Sequence, residues 1–409
     1  MIANRKIHRP VAAGVSLIEM MVALVIAGLL AIGLLQIFAA SSATSRMQEG
    51  LSRVQESGRF AVQYLDRQLR MVGYMGCGSD TERLTQASAV NHLAQFDAAV
   101  PGGNVVPGGP QFRFQRPIEA FTVGTDTLPA GVDALGATDG TQILVLRMIG
   151  DESVPVIQVT RTAGNVNNLE ITVASATAPV FAGTDGGEVL YALESCRSAD
   201  VFAATQTGTV LTALGATAPN VYLDPGVTDC NAAGNCPWDF RISNAFLNAS
   251  SAGGGGLELN AAIHRAEYLA IFVKDNAEGI PSLYVHRFER DSHDLAPTPE
   301  ELTEGIENLQ LRFGIDTGGD GQVDEYRSTT EVIAGLTDDV ALDAAWRKVV
   351  SVRVGMLIQS AQRAGVGGQV SGSPRTYTVL GTTITPPDDG AMRQVYETTI
   401  ALRNRIFNS

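Results

Sequence analysis

The sequence predicts an α+β protein: a long N-terminal transmembrane and amphipathic α-helix packed on a large β-rich head. Three observations predict it. Residues 15–40 carry a single charge, Glu19, in an otherwise apolar run. Residues 47–72 set apolar side chains at three- and four-residue steps. From about residue 78 the chain changes to short runs rich in Val, Ile, Leu, Tyr and Thr, separated by Gly, Pro, Asn and Asp.

Composition sets the frame for these elements. With 45% hydrophobic and 18% charged residues, the chain can bury a core and is not disordered. Its net charge is −14, and loss of residues 1–14, with Arg5, Lys6 and Arg9 and no acid, would leave −17. Such a surface repels phosphate backbones, so nucleic acid is not an expected partner.

The N-terminal element reads MIANRKIHRPVAAG over residues 1–14, basic and free of acids, and then VSLIEMMVALVIAGLLAIGLLQIFAA over 15–40. The second stretch is long enough to cross a hydrocarbon core as one helix. The basic flank keeps the N-terminus cytoplasmic and sends the remainder outward. Glu19 is the anomaly, because a carboxylate inside a membrane helix costs about 3 kcal/mol on insertion scales. A cut after Gly14 would give Val15 a new α-amino group four residues before Glu19, on the same helical face. The amine of one subunit could equally meet Glu19 of a neighbour.

The second element is the amphipathic stalk. Met47, Leu51, Val54, Gly58, Ala61, Leu65, Leu69 and Val72 form one stripe, and Arg46, Gln48, Glu49, Arg53, Gln55, Glu56 and Arg59 fill the other faces. Unbroken from Val15 to Val72, the helix would run about 87 Å. Gly28, Gly33, Gly50 and Gly58 are its expected weak points, and Gly73 and Gly76 its expected end.

The head follows. Expected strands are Gln142–Met148, Val156–Thr160, Leu169–Val173, Glu188–Leu193, Tyr268–Lys274, Ser282–Glu289, Asn308–Ile315, Val349–Gln359 and Gln394–Arg403. Gly- and Pro-rich stretches at 101–110, 251–256 and 364–374 read as loops. The head is one large sheet domain or two lobes, with Gly253–Gly256 as a candidate divide. Cys77, Cys196, Cys230 and Cys236 lie downstream of an export segment without a CxxC pair, and read as two disulfides in an oxidising compartment. Four cysteines allow three pairings and the sequence does not choose among them; the pairing taken as the expectation is Cys230–Cys236 with Cys77–Cys196.

Gly14-Val15-Ser16-Leu17-Ile18-Glu19 ahead of an apolar run resembles the prepilin peptidase site of type IV pilins and type II secretion pseudopilins. The resemblance implies cleavage after Gly14, methylation of Val15, and a role for Glu19 in docking the subunit into a filament. The usual first mature residue is Phe or Met, and Val departs from it. Further segments are similar to minor pilins of the PilW type. They are Arg70-Met71-Val72-Gly73-Tyr74-Met75-Gly76-Cys77, the run from Leu193 to Phe202 around Cys196, Gly305 to Gln310 leading to Phe313–Asp316, Trp346 with Val352–Val354, and Leu402–Arg405. The stretches 85–135 and 205–260 match no such pattern.

What the resemblance implies is a pilin-like head and a low-abundance subunit in a priming or tip complex. It would support pilus biogenesis and twitching or adhesion. Its implied partners are prepilin peptidase, other minor pilins, the major pilin, a large tip adhesin and the inner membrane. The chain would sit as a single-pass protein of the inner membrane, head in the periplasm, and then reach the pilus at the cell surface. The implied organisation is a leader at 1–14, a transmembrane and filament-core helix at 15–40, an amphipathic helix at 41–76 and the head at 77–409. A minor pseudopilin of type II secretion is the first alternative, although that family is usually much shorter. A membrane-anchored adhesin or calcium-binding module is the second.

One constellation suggests chemistry. Asp316-Thr317-Gly318-Gly319-Asp320-Gly321-Gln322-Val323-Asp324 sets Asp316, Asp320, Gly321 and Asp324 at positions one, five, six and nine of a calcium loop. Gly318 and Arg327 stand where two further ligands belong. The competing reading is a solvated hairpin turn. No other cofactor is expected. His8, His92, His264, His286 and His293 are scattered, and the chain has no HExxH, Walker-type loop or GxSxG elbow. An enzyme is not expected.

Overall fold

The structure, a computed structural model, describes residues 16–74, 116–161, 168–182, 189–195, 198–214, 261–288, 299–337, 339–363 and 375–406. Helix α1 runs unbroken over Leu17–Met71, 55 residues, or about 82 Å. It passes through Gly28, Gly33, Gly50 and Gly58 without a break. It stops at Gly73, whose φ of 75° ends the helical run. The first half, through Ser41, has no buried residue, whereas Gly50, Val54, Gly58, Ala61, Leu65 and Leu69 of the second half are buried. One helix thus has two environments because its sequence has two patterns, apolar all round and then apolar along a stripe.

The stripe packs on two sheets. The smaller is antiparallel in the order β11-β10-β12-β15, built from β10 (Ile306–Ile315), β11 (Glu325–Arg327), β12 (Val349–Arg363) and β15 (Ala391–Ala401). The larger includes β1 (Ile118–Thr122), β2 (Gln142–Arg161), β3 (Asn168–Val173), β4 (Val189–Ser195), β5 (Ser198–Thr207) and β6 (Val210–Leu214). It continues with β7 (Ala262–Asp275), β8 (Pro281–Arg287) and β9 (Glu300–Glu304). Alternate residues of these strands share one core with the stripe of α1: Leu144, Leu146 and Met148; Leu269, Ile271 and Val273; Leu309, Leu311 and Phe313; Val352, Val354, Met356 and Ile358. Strand periodicity sends each such set to one face.

The reverse face of the larger sheet is also buried. Ile143, Val145, Tyr268, Ala270, Phe272 and Tyr284 pack there with Val132 and Leu135, beside the short helix α2 (Ala130–Asp133). Strand β7 therefore reads as a continuous apolar run, YLAIFV, and not as an alternation.

The larger sheet also closes on itself. The pairings β2–β3, β3–β6, β6–β5, β5–β4, β4–β7 and β7–β2 form a ring of six antiparallel strands. Val154, Ile171, Val173, Tyr191, Leu193, Ala204, Leu211 and Ile263 fill it, with Val180 and Phe181 from the turn at Pro179–Phe181. A closed ring has no open edge. Strands β2 and β7 belong to both parts, since their register shifts between Ile149 and Ser153 and the chain then bends into the ring.

These observations correct one expectation. The expected strands Gln142–Met148 and Val156–Thr160 are one 20-residue strand, with Gly150–Glu152 as an irregularity inside it. The division between the two parts of the head runs through β2 and β7; Gly253–Gly256, the candidate divide, lies outside the described residues. So do the expected loops at 101–110, 251–256 and 364–374. The sequence reading also missed helices α3 (Thr329–Ile333) and α4 (Asp339–Arg347), the hairpin of β13 (Tyr377–Val379) and β14 (Thr382–Ile384), and the closing turn α5 (Arg403–Ile406).

Candidate functional site

The apolar half of α1 presents a bare surface. Leu17 is 76% exposed and Phe38 is 73% exposed, and the large side chains between them are similarly open. This half is long and apolar enough to cross a membrane, and none of its apolar window is buried against the head. Glu19 lies in the first turn, where a carboxylate faces the positive end of the helix dipole. Glu19 is exposed, and no ion pair holds it among the described residues. Gly14 and Val15 lie outside the described residues.

The other half of α1 is held firmly. At Gly58 a Cβ atom would sit 2.9 Å from Ile358 Cδ1 and from Tyr396 Cζ, so the helix backbone lies directly against β12 and β15 there. At the helix end the Asn404 amide donates to the Arg70 carbonyl at 3.0 Å and to the Val72 carbonyl at 3.4 Å. These carbonyls have no partner within a helix that stops there.

The end of α1 also marks where the ring stands. Ile149 N–H donates to the Tyr74 carbonyl at 3.2 Å, at the residue where β2 leaves the shared core. Burial, with the carboxylates of Glu194 and Asp151 nearby, raises the Tyr74 pKa above its ordinary value. His264 joins three strands at the same junction: its Nδ1 meets the Gly150 carbonyl at 2.9 Å and its Nε2 lies 3.5 Å from Glu194 Oε2. The ring therefore sits at the end of α1 remote from the apolar half. Cys77, Cys196, Cys230 and Cys236 lie outside the described residues.

Asp316, Asp320 and Asp324 form the hairpin turn between β10 and β11, and they do not fit a calcium ion. Asp316 is buried, and its two oxygens accept the N–H groups of Gly319 at 2.6 Å and Gly321 at 2.7 Å. Asp324 accepts from the Thr317 N–H at 2.7 Å and from its hydroxyl. The hydroxyl and the N–H of Thr317 hold the Asp324 carboxyl below its usual range. Asp320 accepts from the Gln322 N–H at 2.9 Å. Calcium requires six to eight oxygens converging on one point. Here the carboxylates turn onto separate N–H groups, and among the described residues no cluster of three or more His, Cys, Asp or Glu is placed to hold a metal.

A buried ionic cluster, not anticipated from the sequence, fixes the head internally. Arg147 donates to Glu119 at 2.5 Å and to the Arg116 carbonyl at 2.8 Å. Arg116 donates to Glu119 and to Asp343 of α4, each at 2.9 Å. Burial alone would raise the Glu119 carboxyl, but Arg147 and Arg116 outweigh it and hold it below its usual range. The cluster ties α4 to β1 and β2. Trp346 of the same helix packs edge-on against Phe313 at 4.9 Å. Its residues bond within the fold and present no open reactive group. A local signal for α3 was available: Ser328 and Glu331 form a capping box, with the spacing S-x-x-E.

Comparison with known families gives two matches. Residues 9–35 match the prokaryotic N-terminal methylation motif. Residues 270–404 match type IV pilus-assembly protein W. The second match begins inside β7 and ends in α5, so it takes in the smaller sheet, α3 and α4 and leaves the six-stranded ring outside. No curated protein and no solved structure gives a significant match. The resemblance read from the motifs is borne out by both matches, which support a pilin-like role in pilus biogenesis.

Proposed function

We propose that this prepilin-like chain is a minor subunit of a type IV pilus, cut after Gly14 and carried into the filament by α1. The observation that carries the reading is the division of α1. One half is locked into the head through Gly58, Leu65 and Leu69, and the other is bare, apolar and led by Glu19. A helix so divided anchors the chain in the inner membrane and then offers the same surface to the helices of neighbouring subunits. Glu19, costly in an apolar medium, gains a partner when the Val15 amine of its own or an adjacent subunit meets it.

The position of the ring supports a place at the filament tip. It stands beyond the end of α1, where a subunit stacked above would need room. In this reading prepilin peptidase removes residues 1–14, the head reaches the periplasm and then the cell surface, and the neighbours are other minor pilins, the major pilin and a large tip adhesin. The role is structural, with no catalysis.

The test uses the full chain in its own envelope. Mass spectrometry of the mature protein is expected to find Val15 at the N-terminus. Glu19→Ala is expected to leave membrane insertion intact and to remove the chain from sheared pili. A different start, or normal incorporation of Glu19→Ala, sinks the reading. Loss of exoprotein release with pili intact, on deletion of the chain, would favour a secretion pseudopilus instead.

A further inference from the structure

The edges of the two large sheets are guarded unequally. Strand β1 has five residues and β11 has three. Strand β9 reads EELTE, three glutamates in five positions. Short and charged edges resist the addition of another strand. Strand β15 is an edge of eleven residues, AMRQVYETTIA, and its register with β12 is unbroken from Ser351↔Ala401 to Gln359↔Arg393.

The direction of its backbone groups follows from one hydrogen bond. Leu402 N–H donates to the Val350 carbonyl at 2.9 Å. Antiparallel pairs alternate, so the even-numbered residues of β15 bond to β12 and the odd-numbered ones face away. The N–H and C=O groups of Arg393, Val395, Glu397, Thr399 and Ala401 therefore point outward, and no strand pairs with them among the described residues. The two charges on this row are engaged within the chain. Arg393 donates to Glu307 at 2.6 Å and to Asp389 at 2.8 Å, and Glu397 accepts the Leu380 N–H at 2.8 Å. Val395, Thr399 and Ala401 leave the rest of the row uncharged.

The strand also has a fixed direction relative to the membrane helix. Gly58 lies against Tyr396, and the Asn404 amide lies on Arg70, so β15 advances as α1 advances. A second copy pairing antiparallel through this edge would carry its α1 upside down. Two apolar helices in one bilayer do not allow that.

We propose that the outer edge of β15 is a strand-acceptor site. It is filled by an extended, uncharged segment of a different subunit of the pilus assembly, running along the filament axis. The backbone row supplies the binding, as in other cases of strand addition. The partner's identity rests on the assembly reading above; the open edge does not.

The test compares full-length variants in the native envelope. Thr399→Pro removes an N–H that no described residue accepts, and Val395→Lys with Thr399→Lys adds a charge guard. Both are expected to keep the melting temperature and the processing at Val15, and to lower recovery with cross-linked pilus subunits at least tenfold. Thr398→Pro, which removes a ladder N–H, is the unfolded control. Recovery of folded Thr399→Pro and of the double Lys variant at the wild-type level overturns the proposal while leaving the pilus reading intact. If wild-type chain is recovered with no pilus subunit, the pilus reading fails, and amide exchange then decides the edge. Val395, Glu397 and Thr399 amides fast in the detergent-purified chain and protected in the envelope support it. Amides fast in both, or already slow in the purified chain, overturn it.

Discussion

The side-chain amide of Asn404 closes the C-terminal end of α1 by donating to the carbonyl of Arg70, 334 positions away in sequence, at 3.0 Å. The closing turn α5, just after the last strand of the head, thereby fixes the helix that carries it. A hydrogen bond of this kind contributes about 0.5–1.5 kcal/mol net. Asn404→Ala is expected to lower the melting temperature of the detergent-solubilised full chain by a few degrees, and an unchanged temperature would show that water serves the Arg70 carbonyl equally well.

Helix and sheet approach closely at Gly58. A branched side chain there meets Ile358 and Tyr396 inside contact distance. Gly58→Val is expected to cost about 1–3 kcal/mol through overpacking, read as a lower denaturation midpoint. Leu65→Ala, at a fully buried position on the same stripe, is expected to cost about 2–5 kcal/mol. A smaller effect at Leu65 than at an exposed position such as Leu51 would contradict the docking of this stripe.

His286 gives the head an acid-sensitive limb. Burial against Phe288, 4.6 Å away, lowers its pKa from 6.5 to about 4. Between those values the unfolded chain binds more protons than the folded one, so stability is full above 6.5 and falls as pH drops toward 4. The loss from this one group is on the order of 2–3 kcal/mol. His286→Leu is expected to flatten that part of the stability–pH curve, and an unaltered slope would exclude the imidazole as its source.

Calcium is expected to leave the chain unaffected. Asp316 already spends both oxygens on the turn, so Asp316→Ala should cost about 1.5–3 kcal/mol whether or not calcium is present. A melting temperature that rises with millimolar calcium, as a ligand bound to the folded state would produce, would restore the ion to this turn.

The chain segments leading to Cys77 and Cys196 converge. Tyr74 and Glu194 lie within electrostatic reach of each other at the junction with the ring. Peptide mapping without reduction is expected to recover Cys77 linked to Cys196, leaving Cys230 with Cys236. A Cys77–Cys230 or Cys77–Cys236 peptide would exclude that pairing.

The strands best read from the sequence were those with local contrast. Asn308–Ile315, Val349–Gln359 and Tyr268–Lys274 are apolar, β-branched or aromatic runs between breakers, and each lies within an observed strand. Strand β5, SADVFAATQT, carries little such contrast, and it is a strand because β4 and β6 flank it. The sequence leaves the turn around Asp316 open between two readings because Asp and Gly spacing serves hairpins and calcium loops alike. Side-chain direction separates the two, and spacing does not contain it.

By itself the sequence determined the helix, its two environments, the N-terminal methylation motif around Gly14 and Glu19, and the β-rich class of the head. These depend on periodicity and composition over a few turns, which neighbouring residues carry among themselves. Only the tertiary structure decided that six strands close into a ring, that β2 and β7 belong to both parts, and that Arg116 meets Asp343 across 227 positions. It also decided which long edge has no neighbouring strand among the described residues. Such pairings are set by the best joint burial of many segments at once, and no single segment records its partner.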